Sequence, residues 1–347
     1  SKLYDTASDI KYSDFTLDNL SNYLINIPEN IIGISTWDSI FPKVVLATKF
    51  LKEKYPNKKI ILGGPTISNL NYKVIEKFSW IDYCVSGEGE YPFTALIKYL
   101  VNGLPPDFLK LPSSIYSKKG NNIIQGNQVQ KNGNLLTIPI LNYSLIDNSK
   151  YNRIEISTSR GCPYSCEFCS VNSTLDNTLR FRPLVDIFKE IDLIFSFSNI
   201  DCINIVDDNF GLNKSRLVDF CKTFKFKYPK KNWTCYFRLD DLTPDTVDMM
   251  FDSKCIGAFI GIEAGNSNKL KSLGKYLAYD DILGKIEYAT SKIDITASFI
   301  WGFPDESEEQ LLDTFELINR LADFDSIIID LYQLSPLTGT KIQKILS

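Results

Sequence analysis

Short apolar runs alternate with stretches of helical spacing along most of the chain, and this alternation restricts the fold more than any other feature. Up to about residue 103 the order is an amphipathic SDFTLDNLSNYLIN, a strand NIIGIST (30–36), a helix KVVLATKFLKEKY (43–55), a strand KKIILGG (58–64), a helix NYKVIEKF (71–78), a strand IDYCVSG (81–87) and a helix PFTALIKYLVNG (92–103). Strands separated by helices of about 10–15 residues predict βαβ crossovers and a parallel sheet. Ligands of such sheets bind beyond the carboxyl ends of the strands. The loops expected there read STWDS (35–39), GGPT (63–66) and GEGE (87–90), rich in small residues that let a ligand approach the backbone. Taken singly, each is equally well a tight strand-to-helix turn.

Residues 104–150 interrupt the pattern. LPPD, KKGNN and KNGN supply turns, so SSIYSKK (113–119) and NIIQGNQVQ (122–130) are expected to form a short hairpin inside a linker. Six strand-like runs follow: RIEIST (153–158), CINIV (202–206), WTCYFR (233–238), AFIGI (258–262), ITASFIW (295–301) and SIIIDLYQ (326–333), with helical segments between them. The expectation is an α/β protein with a Rossmann-like parallel-sheet domain over residues 1–140 and a partial (βα)6 barrel over 141–347. Functional residues of a barrel lie at the carboxyl ends of its strands.

Composition narrows the chemistry. With 347 residues, 44% apolar and 23% charged, the chain has the make-up of a globular protein, and its net charge of -4 gives no overall basic field for a nucleic acid. No apolar run approaches the roughly 20 residues of a membrane span, and the polar SKLYDTASD is unlike a signal peptide, so the cytoplasm is the expected compartment. There is no histidine, which removes imidazole as metal ligand or general base and with it most hydrolase triads and catalytic zinc sites.

Of eight cysteines, Cys84, Cys202, Cys221, Cys235 and Cys255 are dispersed, mostly beside apolar runs, as small core residues are. The others, Cys162, Cys166 and Cys169, fall within RGCPYSCEFCS (160–170), just past the first of the six later strands. Gly161 and Pro163 oppose a regular helix, so the segment should wrap as a loop. A zinc site would need a fourth ligand, whereas three thiolates suit an iron-sulfur cluster and leave one iron of a cubane open.

The CxxxCxxC of Cys162, Cys166 and Cys169, with Phe168 before the last, resembles the signature of the radical S-adenosylmethionine (SAM) enzymes. That resemblance implies a 4Fe-4S cluster whose open iron chelates SAM and whose electron cleaves it to a 5′-deoxyadenosyl radical. It further implies SAM contacts at Phe168, at Asp207 and Asp208 after the second strand, at Arg238 after the third and at Glu263 in IGIEAGN. The two aspartates would serve equally as helix caps, and for Arg238 and Glu263 a structural ion pair is the lesser alternative. GFPDE (302–306) and SPLTGT (335–340) resemble the family's turns after the fifth and sixth strands.

LGGPT followed by VSGEGEYPFTAL is similar to the cobalamin-binding domain that precedes the barrel in one subclass. Its implied contacts are Ser35, Thr36, Gly63, Gly64, Thr66, Gly87, Glu88 and Gly89, with Trp37 able to block the lower face of a cobalt that no histidine can ligate. The subclass implies an oxygen-sensitive C-methyltransferase acting on an unactivated carbon of a peptide or small natural product by way of methylcobalamin. A flavodoxin- or ferredoxin-type donor would supply the electron. The alternatives are a cobalamin enzyme that cyclises, rearranges or epimerises, a radical enzyme whose front domain has lost the corrin, and a non-catalytic iron-sulfur or zinc module.

Overall fold

The structure, a computed structural model, describes residues 16–128, 135–174, 178–197, 199–275 and 277–347. It divides into two compact units. One holds the chain up to Pro139, a short stretch from Ser170, and Pro336–Ser347; the other holds Ile140–Cys169 and the chain that follows as far as Ser335.

In the first unit β1 (Ile31–Ser35), β2 (Lys59–Gly63) and β3 (Tyr83–Val85) lie parallel, with Ile31 opposite Lys59 and Ile61 opposite Tyr83. Side chains of successive strand residues point to opposite faces. Ile60 and Leu62 therefore enter a core with Leu20, Leu24, Val44 and Leu51, while Ile61 enters a second with Val85, Leu96 and Ile115. An uninterrupted Ile-Ile-Leu run is what a strand covered on both faces requires. The covering helices are Leu17–Ile25, Phe41–Lys54, Tyr72–Lys77 and Glu90–Val101, and a further short helix, Pro65–Leu70, follows GGPT directly.

The hairpin expected in a linker is instead part of this sheet. Its strands, β4 (Ile115–Lys119) and β5 (Asn122–Gln125), are antiparallel, and β4 pairs antiparallel with β3 through Val85 and Ile115. Ile115 is fully buried and the Ser117 hydroxyl donates to the Asp82 carbonyl at 2.9 Å. The polar look of SSIYSKK conceals both contacts. Residues 129–130 of the hairpin motif lie outside the described residues.

In the second unit β6 (Arg153–Ile156) is followed by a two-residue ribbon, β7 (Ser159–Arg160) against β8 (Arg180–Phe181), with Arg160 opposite Arg180. The chain then runs through β9 (Cys202–Ile205), β10 (Asn232–Arg238), β11 (Cys255–Glu263), β12 (Asp294–Trp301) and β13 (Ile327–Gln333). With β6 these form one parallel sheet in chain order, and among the described residues β6 and β13 each have a single neighbour. Alternation again sorts the side chains. Ile203, Ile205, Trp233, Cys235, Phe237, Ile260, Ile295 and Phe299 join a core with helix residues such as Ile187, Phe220 and Phe224. The opposite face carries Thr234 bonded to Asn204 at 2.8 Å and Tyr236 against Phe259, ring centroids 5.0 Å apart.

Phe220 is the hub of that core, with ring centroids 5.1–5.6 Å from those of Phe188, Phe210, Phe224 and Trp233. Phe220→Ala should lower the stability of this unit by about 3–5 kcal/mol, read from a lower urea midpoint at unchanged slope.

Candidate functional site

The cysteine loop begins where the β7–β8 ribbon opens. Gly161 enters it at φ +90°, a conformation that costs glycine little, and its backbone pulls the Asp208 pKa down against the burial that raises it. Cys162, Cys166 and Cys169 are all partly exposed thiols, and the Cys169 N–H donates to the Cys166 carbonyl at 3.2 Å. Burial pushes the Cys162 thiol up; the backbone at Tyr164 and the charge of Arg238 pull it down, while Asp208 and Cys166 add to the rise. Among the described residues no three Cys, Asp or Glu side chains converge on a point suited to one metal ion. An iron-sulfur cluster takes one cysteine thiolate per iron. The donor set, three thiols on one loop with a cation beside them, thus fits a cluster.

Asp207 and Asp208 end up in opposite surroundings. Asp207 is 2% exposed and accepts from the backbone N–H and the hydroxyl of both Thr158 and Ser159, at 2.5–3.0 Å. Burial raises its pKa against the pull of those four donors. Asp208 reaches the surface beside Gly161, its pKa raised by the protein crowding around it and then by Asp207.

Arg238 leaves the end of β10 and lies over the Tyr164 ring, 3.8 Å from the centroid, with Nη1 3.9 Å from Cys166 Sγ. It is also paired with Asp240. Phe168 meets Phe303 of the GFPDE segment edge-on at 6.1 Å, and the Lys269 ammonium sits 4.4 Å above Phe303 while bonded to Asp305 at 2.6 Å. Glu263 has φ +77° at a bulge in the β11–β12 pairing, and its buried carboxylate bonds Lys275 at 2.8 Å. Tyr164, Asp240, Lys269 and Lys275 were not singled out from the sequence. For the lysines no signal exists there, since nothing in SNKLKSLGK marks Lys269 and Lys275 as buried.

The three strand-end loops of the first unit are bonded together. The Thr36 N–H and hydroxyl both donate to Gly63 O, at 2.8 and 2.9 Å, the Thr66 hydroxyl donates to Asp38 at 2.6 Å, and the Gly87 N–H donates to Ser68 Oγ at 2.9 Å. Gly64, at φ +94°, admits no side chain: a Cβ there would lie 2.6 Å from the Thr36 backbone. Thr36 and Thr66 are turned inward, whereas Ser35 and Trp37 face outward and Glu88 is half-buried. Gly87 and Gly89 face open space, where an added Cβ would meet nothing within 4 Å.

The sequence profile of the Radical SAM superfamily matches residues 156–318. An uncharacterized methyltransferase of Pyrococcus horikoshii is 25% identical over 336 residues, 95% of this chain and 72% of that protein. The cobalamin-dependent radical SAM methyltransferase TokK of Streptomyces tokunonensis is 26% identical over 195 residues, 54% of this chain and 28% of TokK. The chain thus spans only about a quarter of that relative. The structure of TsrM, a radical SAM methyltransferase from Kitasatospora setae with cobalamin and a 4Fe-4S cluster bound, matches with a TM-score of 0.77 at 14% identity, over 98% of this chain and 68% of TsrM. At such identity the likeness is one of fold.

Two outcomes follow from the site itself. Asp207→Asn places an amide N–H against hydroxyl and N–H donors and should cost roughly 1–3 kcal/mol in chemical denaturation. In anaerobic alkylation of the native metal-free chain, mapped by mass spectrometry, Cys162, Cys166 and Cys169 should react well before buried Cys84, Cys221, Cys235 and Cys255.

Proposed function

From the match of residues 156–318 to the Radical SAM superfamily we propose that the chain is a cobalamin-dependent C-methyltransferase acting on an unactivated carbon of a peptide or small natural product. The observation that carries this reading is a CxxxCxxC loop at the end of the first strand of a six-stranded parallel sheet, in a chain whose other unit ends its parallel strands in an open, glycine-rich rim. The second unit reads as an open (βα)6 barrel and the first as a Rossmann-like corrin-binding domain.

Cys162, Cys166 and Cys169 would hold the cluster. When bound, the cluster supplies the electron that cleaves SAM, and the corrin carries the methyl group. Phe168, packed against Phe303, would wall the adenine side. Asp208, exposed at the end of β9, is the carboxylate left to receive an ammonium group, because all the lone-pair directions Asp207 presents inward are taken. The role of Asp207 is to fix Thr158 and Ser159, from which the loop departs. Glu263, committed to Lys275, would meet the cofactor as a paired carboxylate. In the first unit Ser35, Trp37, Gly87, Glu88 and Gly89 would form the corrin surface, and Thr36, Gly63, Gly64 and Thr66 would hold those loops in place. The one-electron donor is an external flavodoxin- or ferredoxin-type protein. Among the described residues no helix is long and apolar enough to cross a membrane.

Anaerobic reconstitution tests the reading. The parent chain should bind about four irons and produce 5′-deoxyadenosine from SAM under reduction; Cys166→Ala should lose iron and stop cleavage. Added hydroxocobalamin should show a protein-bound corrin spectrum, and product formed from an accepted substrate should gain the mass of one methylene. Failure of the corrin spectrum would overturn the cobalamin assignment, and turnover without mass gain the methyl transfer.

A further inference from the structure

Arg238 is fixed on several sides. Nε pairs with Asp240, Nη2 donates to the Gly274 carbonyl at 3.0 Å, and the guanidinium plane rests on Tyr164. The turn that carries Asp240 is itself braced from two directions. Lys285 Nζ donates to the carbonyls of Leu239, Asp240 and Leu242 at 2.6–3.3 Å, and the Asn209 amide donates to Asp241 at 2.8 Å while accepting from the Arg238 N–H at 3.3 Å. With 10% of its side chain exposed, the guanidinium has little freedom to swing away. Its remaining edge faces Cys166 Sγ.

We infer that Arg238 raises the reduction potential of the iron-sulfur cluster through the Cys166 sulfur, in place of a grip on SAM; this rests on the cluster assignment made above. Reduction by one external electron adds a negative charge to a set of thiolates and irons, and a cation held beside one sulfur stabilises the reduced form more than the oxidised one. The charge acts at short range and in a partly buried place, where water screens it weakly. Asp240 offsets part of it, so the Arg238–Asp240 pair presents its positive end to the sulfur and its negative end away. Lysine would retain the charge but neither the fork nor the stack on Tyr164.

The test is a redox titration of the anaerobically reconstituted chain without SAM, followed by electron paramagnetic resonance, beside iron content and SAM affinity for each protein. Arg238→Gln should keep the parental iron content and shift the midpoint to more negative potential, with Arg238→Lys lying between it and the parent. Asp240→Asn, which removes the offsetting anion, should shift the midpoint to more positive potential. SAM affinity should change little in any of them. An unchanged midpoint in Arg238→Gln, or a negative shift in Asp240→Asn, would overturn the inference, as would a loss confined to SAM affinity. Should Arg238→Gln fail to retain iron, the sign of the Asp240→Asn shift decides alone. If the parent itself binds no iron, the cluster assignment fails, and that failure is visible in the iron content before any potential is read.

Discussion

The four hydrogen bonds received by Asp207 set the geometry on which the rest of the second unit's chemistry depends. They join the end of β9 to the residues immediately beyond β6, its neighbour in the sheet. The same few residues are gripped from the other side: Thr158 O accepts from the Arg182 N–H at 2.9 Å and from Arg216 Nη2 at 3.2 Å, and Ser157 O accepts from Arg182 Nη1 at 2.6 Å. A carboxylate held by several donors in a buried place is costly to disturb, because loss of one partner strands the other. The loop bearing the thiols therefore leaves from a fixed origin in a fixed direction.

Around that origin the ionic groups are arranged in closed pairs. Arg182 meets Glu190, which also accepts from the Tyr143 hydroxyl at 2.7 Å; Lys275 meets Glu263; Lys269 meets Asp305. Replacing such pairs by apolar groups need not destabilise a protein, but breaking one leaves a buried charge alone. Their value here is orientation. Glu263 sits in a left-handed conformation that only surrounding contacts can maintain in a residue with a side chain, and Lys275 supplies such a contact.

Much of this was legible in the sequence, for identifiable reasons. Strand and helix periods located all nine parallel strands of the described residues because a buried parallel strand is a short apolar run, and the three thiols of CxxxCxxC stood out through their spacing. Other features had no local signal. Asp207 and Asp208 are chemically identical neighbours, and only the pleat of β9 and the donors waiting on one side separate a structural carboxylate from an exposed one. The pairing of SSIYSKK with β3 depends on a partner thirty residues away. The burial of Lys269 and Lys275 depends on Asp305 and Glu263, distant in sequence and supplied by tertiary structure alone.

The segment after β13 carries a consequence for how the chain is made. Asp38 accepts from the Thr338 N–H and Asn69 donates to the Thr338 carbonyl, both at 2.6 Å, and Gly339 at φ +84° turns so close to Asn69 that any side chain there would collide with it. These bonds tie residues 300 and 269 positions apart into one unit, with the whole six-stranded sheet encoded between them. As synthesis proceeds from the amino terminus, the strands of this unit can assemble early, but Asp38 and Asn69 must wait for 300 and 269 further residues before their partner emerges. The ribosome thus delivers the loops STWDS and GGPT well before the segment that fastens them.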